Sequence, residues 1–71
     1  YGDKTKNHDN IARLWSAYLD VKIEAHDVAL MMVLLKMART KLGAVSKDTY
    51  IDMSAYSSIA GEIKFGGEKN E

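Results

Sequence analysis

The chain has 71 residues, ten basic and ten acidic side chains, and neither cysteine nor proline. That composition excludes disulfides and cysteine-held metals, and the balanced charge argues against nonspecific nucleic-acid binding, which needs a basic excess. A domain this small buries only about 60% of its unfolded surface, so close helix packing or assembly with other chains has to supply its stability.

The first residues are polar and lack the apolar stretch of a signal peptide. The longest apolar run, residues 28–35, is far shorter than the ~20 residues that span a bilayer. The sequence therefore predicts no membrane partner and a cytoplasmic location. Tyr1 stands where a natural start would have Met, so residues upstream are expected to be missing. Residues 1–65 read as one helical domain and 66–71 as a polar tail.

The opening "YGDKTKNHDN" contains no aliphatic side chain. It reads as a leader, with Tyr1-Gly2 forming a turn and Asn7 or Asp9 capping the first helix through a short oxygen-bearing side chain. In that helix Ile11, Leu14, Trp15, Tyr18 and Leu19 recur at helical spacing and predict one inward stripe. The helix is expected to stop near Asp20. "DVKIEA" follows as a connector with Val21 and Ile23 pointing inward.

The second helix is predicted from about Ala25 to Leu42. Acids cluster at its start and Arg39 and Lys41 at its end, which suits the helix dipole. Gly43 fits the left-handed residue that follows many helices. Its centre, "VALMMVLLKMA", is apolar all round until Lys36. Such a helix needs neighbours on most sides, and the adaptable Met31, Met32 and Met37 suit an interface. A homo-oligomer is the expected source of that cover. The third helix is predicted from about Asp48 to Phe65, with Ser46 or Asp48 as cap and Ile51, Ala55, Tyr56, Ile59, Ala60 and Ile63 inward. The fold class is all-α, a small bundle of about three helices with antiparallel neighbours.

Three sets of residues have chemical potential. Asp48, Asp52 and Tyr56 stand four apart on the third helix, and Lys36 and Arg39 three apart on the second. Antiparallel packing would set Lys36 or Arg39 against Asp52. That arrangement is either a structural ion pair or a polar pocket, with Arg39 gripping a phosphate or base and Tyr56 stacking on it. Tyr1, Asp3 and Asn7 would close over that pocket from the leader, or Tyr1 would simply dock on the core. Glu24, Asp27, Asp48 and Asp52 form a second set, an oxygen-ligand site for Mg²⁺. His8 and His26 are read as surface or capping residues, each beside an aspartate. No nucleophile elbow or glycine-rich phosphate loop is present, so no catalytic residue is assigned.

The strings "YGD…N…IARLWSAYL", "HDVALMMVLLKMAR" and "DTYIDMSAY" resemble a family of small proteins of tailed phages and prophages whose domain has no settled function. The resemblance runs through nearly the whole chain to Glu62. Family members usually carry Pro after YGD and a Thr-Pro start to the second helix, where this chain has Lys4 and Glu24-Ala25. They also usually have residues upstream of YGD. The resemblance implies a phage protein acting in the host cytoplasm. That origin implies a small helical oligomer that binds a host protein or sequesters a nucleotide signal of host immunity. The spacing of Lys36 and Arg39, then Asp52 and Tyr56, is also distantly similar to helical domains of phage nucleotide metabolism, and the alternative expectation, a Mg²⁺-dependent nucleotide pyrophosphohydrolase, rests on Glu24, Asp27, Asp48 and Asp52. The leading expectation is an oligomeric, non-enzymatic protein that binds a nucleotide-like ligand through Tyr1, Asp3, Asn7, Lys36, Arg39, Asp52 and Tyr56. A third reading is an assembly factor with no small ligand.

Overall fold

A computed structural model describes residues 2–43 and 46–66, with side-chain surroundings from Lys4 onward. Helix α1 spans Gly2–Leu19 and α2 spans Ala25–Arg39. A 3₁₀ turn, Thr40–Leu42, follows α2, and α3 spans Lys47–Phe65. No strand occurs among the described residues. The molecule is a flat slab of 37 × 36 × 19 Å. Helix α2 is its centre, packed extensively on α3 and less so on α1.

The leader corrects the expectation from sequence. Residues from Gly2 onward are already helical, so Asn7 and Asp9 lie inside α1 and cap nothing. With no proline to stop it, the helix continues back through the polar residues. The imidazole of His8 adds a local tie, Nδ1 donating to the Lys4 carbonyl at 2.8 Å. At its other end α1 stops where expected. Asp20 takes φ 56°, a left-handed conformation that aspartate tolerates better than most residues.

Ser16 fixes the connector. Its hydroxyl donates to the Ile23 carbonyl at 3.1 Å and accepts from the Ile23 N–H at 2.8 Å. Ile23 is thereby held half-buried, whereas Val21 is exposed rather than inward. Helix α2 then opens with Asp27 accepting from the Glu24 N–H at 3.0 Å, the return half of a capping box. Its end is tighter than the sequence pattern implied. Thr40 Oγ1 donates to the Met37 carbonyl at 2.7 Å, and the last turn becomes 3₁₀, a common way to use the final carbonyls. Gly43 closes it at φ 79°. Ser46 caps α3, and its own N–H reaches Thr49 Oγ1 at 3.4 Å.

The core is small and built from small residues: Ala12, Ala25, Val28, Ala29 and Ala60, joined by His8 and Thr49. Alanines let the helix backbones approach closely but leave larger side chains outside. Two predicted stripes are therefore rotated. In α1 the buried positions are His8 and Ala12, with Ile11 and Trp15 half-buried. Leu14 and Leu19 are exposed and Tyr18 is 88% exposed. In α3, Ile51 and Ala55 point out while Tyr56, Ile59 and Ile63 are half-buried. The all-round apolar α2 keeps Leu30, Met31, Leu34, Leu35 and Met37 exposed.

Candidate functional site

The early start of α1 builds a cleft that the sequence reading did not foresee. Lys4 and His8, one helical turn apart, share a face and meet Asp52, Ala55, Tyr56 and Ile59 of α3 across a recess of about 350 Å³. A smaller recess of about 200 Å³ continues it, sharing Lys4 and Ile59 and reaching Thr5, Glu62, Ile63 and Gly66. Lys4 stands between the two.

Each wall has a defined chemistry. Asp52 is oriented by Lys36, whose Nζ lies 3.1 Å from Oδ2. The pair joins the last turns of α2 to the first turns of α3, as antiparallel packing requires. It leaves Oδ1 available and roughly cancels the carboxylate charge. Tyr56 is half-buried and contributes a ring and a hydroxyl. His8 is only 7% exposed. Its Nδ1 must be the protonated nitrogen, because a carbonyl can only accept. In the neutral ring Nε2 is then an acceptor. Among the described residues no group bonds Nε2, yet no fully buried side-chain nitrogen or oxygen among them lacks a partner. Nε2 therefore keeps some accessible surface, and His8 lines the cleft.

Of the residues expected to form a ligand site, Asp52 and Tyr56 line the cleft and Lys36 supports Asp52 from behind. Arg39 is exposed, its side chain makes no ion pair or hydrogen bond among the described residues, and it does not line the cleft. Asn7 is exposed on α1 and also lies outside it. Tyr1 and the side chain of Asp3 lie outside the described residues. The leader expected as a closing loop is instead the helical wall that brings Lys4 and His8. Their four-residue step, continued by Ala12, was the signal available in the sequence.

The proposed Mg²⁺ ligands are dispersed. Glu24 and Asp27 flank His26 at 3.8 Å and 3.4 Å, and Asp27 also holds the α2 cap. Asp48 is exposed in the first turn of α3, and Asp52 is paired with Lys36. Among the described residues no group of three or more His, Asp or Glu side chains is placed to hold a metal ion. His26 also borders an open groove of about 1000 Å³ between α1, the connector and the end of α3. Arg13, Lys22 and Lys64 face Asp9 and Glu24 along that groove, so its walls carry mixed charge. No described helix is long and apolar enough to cross a membrane.

Comparison with known proteins places the chain among phage proteins. It is 43% identical over 60 residues to the Gene 55 protein of Mycobacterium phage L5, covering 83% of this chain and 38% of that one. It is 38% identical over 63 residues to the Gene 55 protein of Mycobacterium phage D29, covering 89% of this chain and 42% of that one. The chain thus spans about two fifths of the length of these relatives. No solved structure matches it. A family model for a domain of unknown function matches residues 1–64, and the chain, an all-α phage-type domain, belongs to that family, DUF6378.

Proposed function

We propose that this domain is an oligomeric binding module that holds a nucleotide-like ligand in the cleft between α1 and α3. The observation that carries the reading is the convergence of Tyr56, Asp52 and His8 on one recess of about 350 Å³. Small-molecule sites typically measure about 300–1,000 Å³ and combine an apolar lining with a few placed polar groups. Here Ala55, Ile59 and the Tyr56 ring give a surface for a flat base. Asp52 and His8 give acceptors.

Assembly enters through α2. Five large apolar side chains on its outer face, Leu30, Met31, Leu34, Leu35 and Met37, are exposed. A continuous apolar face of this kind marks an interaction surface, and a second copy of the chain is the occupant proposed here. The same face supports a second reading, an assembly factor whose partner is a host protein.

A thermal-shift screen with linear and cyclic nucleotides separates these readings. The binding module predicts a rise in Tm that Tyr56→Leu removes while leaving the unliganded melting curve close to wild type. Ligand at 100 times its Kd adds about 2.7 kcal/mol, an upward shift of roughly 10 °C or more for a domain this size. A flat screen, together with stoichiometric capture of one host protein that Leu34→Lys abolishes, would replace it with the assembly factor.

A further inference from the structure

We infer that His8 is a base-reading residue, and that the cleft selects nucleobases bearing an exocyclic amine over their deaminated counterparts. The inference rests on the nucleotide reading above and adds the class of base. Three observations support it. His8 as a residue is more than nine-tenths buried, with Nδ1 tied to the Lys4 carbonyl at 2.8 Å. That bond fixes both the ring plane and the tautomer, so Nε2 is presented as a lone pair. Asp52, on the opposite wall, is an acceptor as well, with Oδ2 against Lys36 and Oδ1 left for a ligand.

The cleft thus sets two fixed acceptors beside an aromatic ring, and the carboxylate charge is already offset by Lys36. Two acceptors ask for a ligand with two donors. The offset charge asks for neutral donors rather than a second cation. Guanine, adenine and cytosine supply amino hydrogens, and carboxylates accept from such groups in base recognition. Hypoxanthine and uracil carry a hydrogen or an oxo group at the corresponding position. An oxo group would turn an acceptor toward an acceptor, and a bare C–H would leave a buried lone pair unmatched. A site built to bond a polar group discriminates strongly against the analogue lacking it, because the site's own group is left unpaired.

The test is calorimetric titration of the wild-type chain with two matched pairs of nucleoside monophosphates. GMP differs from IMP only by the 2-amino group, and CMP from UMP by a 4-amine with a bare N3 in place of a 4-oxo group with an N3–H. The inference predicts GMP and CMP each at least about tenfold tighter than its partner. In His8→Asn the side-chain amide can keep the bond to the Lys4 carbonyl while removing Nε2, and both ratios should fall toward one. Far-ultraviolet circular dichroism checks the fold of that variant, and the wild-type ratios stand without it. Equal affinities within both pairs, or ratios unchanged in a folded His8→Asn, would overturn the role of His8 and leave the nucleotide reading in place. No binding of any of the four would overturn both.

Discussion

The two faces of this small domain are built on opposite principles. The α1/α3 cleft is lined by a histidine tautomer and a carboxylate, each held by a bond within the chain, and by a half-buried tyrosine. The outer face of α2 has no such bonds and is a row of leucines and methionines in water. The difference follows from what fills the centre. A core of four alanines and Val28 draws the helices close and has no room for larger side chains. Polar groups with partners were drawn inward with the alanines, and the bulky apolar ones were left outside. On physical grounds the cleft suits a small ligand with defined donors, and the α2 face suits a large, adaptable apolar partner.

Both faces depend on the buried centre they share. Val28 is 1% exposed, and Val28→Asp buries a charge with no partner, a cost of several kcal/mol. That is on the scale of the whole stability of a small domain, so loss of the helical circular dichroism signal is expected. Next comes the α2 face. Leu34 is 61% exposed, so within one protomer Leu34→Lys should change stability by less than about 0.5 kcal/mol. If a second copy covers the face, the same change should reduce the mass measured by light scattering to that of a monomer.

A smaller effect is expected at the connector. Ser16→Ala removes both bonds to Ile23 and should cost about 1 kcal/mol, lowering Tm by roughly 4–8 °C without changing assembly. The smallest expected change is a gain. Asp20 holds a left-handed conformation that glycine adopts without strain, so Asp20→Gly should stabilise by a few tenths of a kcal/mol to about 1 kcal/mol. Chemical denaturation would register it as a shifted midpoint with unchanged slope.

Three helices, their order and most of their ends were legible from apolar spacing, caps and glycine. Ser46 and Gly43 act where local chemistry said they would. The start of α1 was not legible, because polar residues carry no periodic apolar signal and nothing in "DKTKNHDN" forbids a helix. That one boundary hid the cleft. With α1 beginning near Ile11, Lys4 and His8 belong to a leader; with α1 beginning at Gly2, they form a wall opposite Asp52 and Tyr56. The rotated stripes have a related cause. Hydrophobic spacing identifies the apolar side of a helix, but the side that packs was chosen by where alanines allow close approach. Tyr18 and Ile51 were therefore expected inside and lie outside. The Lys36–Asp52 pair was foreseeable because antiparallel packing fixes which turns face each other.

If the cleft, and not the α2 face, takes the proposed small ligand, amide chemical-shift mapping by ¹H–¹⁵N NMR during titration with GMP should give saturable shifts concentrated at Lys4, His8, Asp52, Tyr56 and Ile59, with Leu30 through Met37 unchanged. Shifts centred on Leu30, Leu34 and Met37, or none anywhere at millimolar nucleotide, would contradict that reading.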